Sequence, residues 1–140
     1  MIVKSPFENV ALSWEPKVSY FLGALEIYDR EEEGKLYLQY DPNVPGERKE
    51  VIEKFLIPSL NYLGYRHKYA LLELLRNALA DQSYDFSALF ESDYDECITM
   101  VWSEGEVEDA RLFFEDIYRV ASEVWKQDLH HASLEDQLSW

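Results

Sequence analysis

Cysteine, glycine and basic residues are all scarce in this chain. The single cysteine, Cys97, rules out an intrachain disulfide and suits a reducing compartment. The five glycines, Gly23, Gly34, Gly46, Gly64 and Gly105, stand singly, so they build neither a phosphate-cradling loop nor a dinucleotide fingerprint. There are three histidines, His67 and the adjacent pair His130 and His131, and without ligand-spaced cysteines they exclude an ordinary zinc site. No apolar run approaches the roughly 20 residues of a membrane-spanning helix. The opening stretch MIVKSPFENV breaks its apolar run at Pro6, Glu8 and Asn9, unlike a secretory leader. A cytoplasmic location is the expectation.

What is abundant is acid. Of 140 residues, 28 are Asp or Glu against 13 Lys or Arg, for a formal charge of −15. Such a chain repels nucleic acid and anionic membranes, whose phosphates are bound by cations, and attracts basic surfaces. The hydrophobic share of 47% argues against a solvated acidic tail and for one globular domain over residues 1–140.

Periodicity suggests a helix-rich α+β domain with about four helices and a small sheet of two or more short strands. Ser13 can cap a first helix, carried by Val18, Phe21, Leu22 and Leu25 and stopped at Gly34, with paired strands as the rival reading. KLYLQYD alternates like a strand. Val51, Ile52, Phe55, Leu56, Leu60 and Leu63 mark a second helix that Pro58 should kink or end, and Ala70 to Leu79 a third, antiparallel to it. SYDFSALF reads as a helical turn or two. CITMVW reads as a buried strand, provisionally paired with KLYLQYD. The last helix follows a capping box at Ser103 and Glu106, with the acids of EGEVED in its first turn. Its stripe runs through Val107, Ala110, Phe114, Ile117, Tyr118, Ala121, Val124 and Trp125. On its outer face Arg111, Glu115, Arg119 and Glu123 stand four apart, in register for ion pairs. Trp140 lies outside every stripe and is expected to be loose.

Charge is unevenly spread over these elements. Residues 44–79 hold six bases and four acids, whereas residues 81–116 hold twelve acids and Arg111 alone. Solubilising charge has no reason to gather in this way, while a single-sign field steers a partner of opposite sign. Capping accounts for Glu104, Glu106, Glu108 and Asp109, but not for Asp85, Glu91, Asp93, Asp95 and Glu96. Tyr84, Phe86, Phe90 and Tyr94 are interleaved with these acids, and Tyr is a common interface anchor. The candidate partner-binding set is therefore Asp85, Glu91, Asp93, Tyr94, Asp95, Glu96, Glu104, Glu106, Glu108 and Asp109.

Catalysis finds little support. ESDYDECITMVW lacks the glycine and the twelfth-position glutamate of a calcium loop. Cys97 sits among acids and apolar neighbours, surroundings that do not activate a thiol, which argues against a nucleophile. No enzyme, metal or cofactor is expected. In size, acidity and aromatic content the chain resembles the immunity proteins of bacterial nuclease toxins. That resemblance implies binding of a basic toxin, with carboxylates meeting the lysines and arginines that would otherwise hold substrate phosphates. A phage-type DNA mimic and an acidic secretion chaperone are the alternatives.

Overall fold

A computed structural model describes residues 3–6, 13–103 and 105–140. Among these residues the chain is helix-rich with one two-stranded antiparallel sheet, an α+β arrangement with six longer helices rather than about four. The sheet pairs β1 (Val3–Lys4) with β2 (Ser13–Trp14). A 3-10 helix over Val18–Leu25 follows, then α1 (Glu31–Tyr37), α2 (Pro45–Val51), α3 (Tyr65–Ala80), α4 (Ala110–Val124) and α5 (Lys126–Ser133).

The region expected to be one helix from Ser13 to Gly34 is split in three. Ser13 lies in β2, and its side chain caps nothing described here. The 3-10 helix buries Val18, Phe21, Leu22 and Leu25, the residues the periodicity picked out. Gly34 does not stop a helix but sits inside α1, where a Cβ would come within 2.8 Å of Ile27 Cδ1. A close approach, not a turn, is thus the reason for glycine there. KLYLQYD is no strand either: its first three residues end α1, and Tyr37 packs inward with its hydroxyl donating to Ala24 O at 2.9 Å.

Pro58 does divide the second helix. Lacking an N–H and crowding the preceding turn, it forces the helix to widen before it. Ile52–Leu56 is a π-turn closed by Ile57 N donating to Ile52 O at 3.0 Å, and Pro58–Leu60 is a tight 3-10 turn. α3 runs as expected. It packs mainly on α4 and α5 rather than back on α2, so the expected hairpin is not the main contact. The core joins Phe21, Leu22 and Leu25 to Ile52, Leu56, Leu71, Leu75, Phe113, Phe114 and Ile117, all fully buried. Phe113 and Val120 are buried and were missed by the single stripe drawn on α4, while Val124, placed on it, is exposed. α4 ends at Trp125, whose buried ring stacks on Phe21 at 6.1 Å.

Two charge arrangements in this scaffold are unlike the expected ladder on α4. Arg111 donates to the carbonyls of Leu79, Asp81 and Tyr84, pinning the loop after α3. Arg119 pairs with Asp116 at 2.7 Å, and Asp116 takes Arg48 Nε at 2.6 Å on its other oxygen. The Arg48–Asp116 pair is buried, with 6% and 11% of the side chains exposed, and ties α2 to α4. Arg48 Nη1 also donates to Pro42 O at 3.1 Å.

Trp140 is not loose. Its indole N–H donates to Glu135 at 3.1 Å and its ring meets Tyr69 edge-on. Glu135 also accepts from Tyr65 and from Arg66, and Tyr65 in turn stacks on His131. The Arg66 guanidinium, then the Tyr65 hydroxyl, hold the Glu135 carboxyl at about 2, down from 4.5. A carboxyl with a depressed pKa contributes fully above its unfolded value and loses that contribution as the pH falls to the folded one. The anchoring of residues 134–140 should accordingly be complete above pH 4.5 and lost on acidification towards about 2. The Trp140 indole N–H resonance, followed by NMR through that window, checks it. A signal already in random-coil position at pH 6 would refute it.

Candidate acidic surface

The strand expected over CITMVW is instead the second arm of a tight hairpin. Asp93 and Ile98 exchange both backbone hydrogen bonds at 2.8 Å, enclosing residues 94–97 in the turn. Cys97 closes the turn with φ of 57°, a left-handed conformation that side chains with a Cβ seldom adopt. It is exposed, not a core residue. Alternation could not reveal this, because the apolar run begins in the turn and only Met100 and Trp102 are buried.

The arm after the turn pairs with residues 25–27, not with KLYLQYD. Val101 N donates to Leu25 O at 2.9 Å, Ile27 N to Thr99 O at 2.7 Å, and Glu26 bridges Met100. A second turn follows at once, with Asp29 also left-handed at φ of 60°. The Cys97 thiol first, and the nearby Asp29 charge second, raise the Tyr28 pKa above 10.0. The pairing therefore brings a second group of acids beside the first: Glu26 and Asp29, followed by Glu31, Glu32 and Glu33 in the first turn of α1.

Four acids of the candidate set, Asp85, Asp93, Glu106 and Asp109, prove to have local work. Asp93 Oδ1 accepts from the amides of Asp95 and Glu96, an Asx turn that shapes the hairpin tip. Asp85 Oδ1 accepts the amide and hydroxyl of Ser87, which lowers its pKa, and Asp81 does the same with Ser83. Asp109, not Ser103, is the N-cap of α4, accepting from Leu112 N at 3.0 Å. Glu106 does accept from Ser103 N at 3.0 Å, so half of the expected capping box forms. It closes a separate turn ahead of the helix, and no acid falls in the first turn of α4. Glu108 lies in the same loop, its amide held by Asn43. Glu104 falls outside the described residues.

Glu91, Asp95, Glu96 and Glu108 use their carboxylates in no hydrogen bond or ion pair among the described residues. The first three belong to the hairpin and its approach, as does Tyr94, which is 76% exposed. Beside them lies an open groove of about 410 Å³, lined by Glu26 and Glu91 together with Leu22, Leu89, Ile98 and Met100. A largely apolar groove whose lining includes two glutamates suits the stem and head of a lysine or arginine. Glu26, Tyr28 and Asp29 are the members that sequence reasoning missed, absorbed into a first helix that does not extend so far.

Among the described residues no three His, Cys, Asp or Glu side chains converge to hold a metal ion, and no helix is long and apolar enough to cross a membrane. Set against protein families, curated proteins and solved structures, the chain matches none.

Proposed function

We propose that this protein is a binding inhibitor of a basic protein in the cytoplasm, in the manner of an immunity protein that neutralises a bacterial nuclease toxin. The observation that supports this reading best is the meeting of two acidic turns, residues 26–33 and 91–98, around one apolar groove. Glu91, Asp95 and Glu96 supply the attractive field, and their carboxylates have no internal partner to compete with. Field of one sign over a small area speeds encounter with a basic partner. Tyr94, with the half-exposed Tyr28 and Ile98, supplies the apolar contact that slows departure. The groove lined in part by Glu26 and Glu91 receives one long basic side chain. By this reading the protein performs no chemistry and needs no cofactor.

An affinity capture from the source cell, eluted by rising salt, tests the reading. One basic protein held stoichiometrically and released by salt is the expected result. A partner that is apolar, extended and indifferent to salt would favour a secretion chaperone. Capture of nothing specific would leave the carboxylates as solubilising charge.

A further inference from the structure

Residues 134–140 lie against α3 without entering the core. None of them is buried, and Leu134 and Leu138 point outward, 73% and 95% exposed. What holds the segment is a set of polar and aromatic contacts centred on one carboxylate. Glu135 accepts from Tyr65 Oη at 2.7 Å, Arg66 Nε at 2.9 Å, Arg66 Nη2 at 3.4 Å and Trp140 Nε1 at 3.1 Å. The Arg66 guanidinium stands 5.6 Å from the centres of both the Tyr65 and the Trp140 rings. Gln137 donates to Tyr69 Oη at 2.8 Å, and Trp140 rests edge-on against the Tyr69 ring.

We propose that the first two turns of α3 form a carboxylate-binding site, and that residues 134–140 are a releasable strap filling it with the chain's own Glu135. The site's ligand class is an acidic peptide segment with an aromatic residue close behind the carboxylate. Tyr65, Arg66 and Tyr69 stay behind on α3 when the strap leaves. Arg66 presents its donors as a planar fork matched to a carboxylate, at the helix end where the backbone dipole favours an anion. Glu135 is its only ion-pair partner among the described residues, so release leaves a cation in want of an anion. The adjoining cavity of about 240 Å³ is lined by Lys4, His67 and Arg66 and, among the described residues, by no acidic side chain, in a chain of charge −15. Opening costs the strap no core contact, which makes exchange with an outside segment feasible.

The probe is a labelled peptide of residues 132–140, ASLEDQLSW, added to the full-length chain. A Glu135→Gln/Trp140→Ala variant, whose own strap cannot close properly, should bind it saturably and at least about tenfold more tightly than the unaltered chain does. Adding Arg66→Ala to that variant should abolish binding. A folded double variant that binds no better than the unaltered protein would overturn the proposal, as would binding that survives Arg66→Ala. Hydrogen exchange on the unaltered protein stands independently of any variant. The Trp140 indole N–H should exchange at least about tenfold faster than the amides in the middle of α3, as expected of a local opening. Equal protection would mean the segment opens only with the whole domain, and the strap would be ordinary structure.

Discussion

Asp116→Leu is expected to lower stability by about 3–5 kcal/mol, the cost of leaving a buried charge without its partner. The charge left behind is Arg48, 6% exposed, which would keep only the Pro42 carbonyl, a neutral acceptor, among the described residues. The reciprocal change should be milder. In Arg48→Met the Asp116 carboxylate retains Arg119, an arginine 71% exposed and able to bring its own hydration to the site. Removing both charges with Arg48→Met/Asp116→Leu should recover most of the loss, because two apolar side chains of similar volume need no compensation. Urea unfolding with a common m-value measures all three. An Asp116→Leu loss below about 1 kcal/mol would mean that water reaches the pair and screens it as it does a surface bridge.

Glu91→Lys, Asp95→Lys and Glu96→Lys together should slow association with the captured partner on the order of 10²-fold at low salt, the span between steered and unsteered encounter. The effect should shrink as salt rises towards a Debye length of about 8 Å. These three carboxylates bond to nothing described in the fold, so stability should move by no more than about 0.5 kcal/mol for each. Asp93 is deliberately left intact. Its side chain shapes the hairpin tip, and reversing it would mix a folding effect with a binding one. Stopped-flow mixing at two ionic strengths reads the result. An unchanged rate would remove the acidic surface from the interface altogether.

Legibility of the fold followed the range of the interactions that set it. α3 was readable from periodicity because its ends and its buried face are local facts. Pro58 was readable for the same reason, since a missing N–H acts within one turn. The region 13–37 was not. A stretch of Val, Tyr, Phe, Leu and Ile tolerates helix, strand or 3-10 turn equally, and its division was settled by residues 99–101 pairing with it from far along the chain. The N-cap of α4 was missed because two acceptors, Ser103 and Asp109, both fall near the start of the apolar stripe, and spacing alone does not rank them. The acidic surface was half legible: its hairpin carboxylates stood out by count, whereas Glu26, Tyr28 and Asp29 joined it only through tertiary pairing. The loose reading of Trp140 failed because a single aromatic outside any stripe gives no periodic signal, even when four donors and two rings organise its surroundings.

The pairing of residues 25–27 with residues 99–101 also sets when the acidic edge comes into being. Glu26 Oε1 accepts from Thr99 N across 73 positions, so this edge lies at the mouth of a long loop. Closing such a loop costs chain entropy before any of its contacts repay it, and like charges brought to one place add to the opposition. During synthesis, a chain that has emerged only to Glu96 already carries every carboxylate of the hairpin tip, yet it has neither the second arm nor the groove. The field that would draw a partner exists early as unshaped charge; the surface that would hold one exists only once the later half of the chain has come back to the earlier.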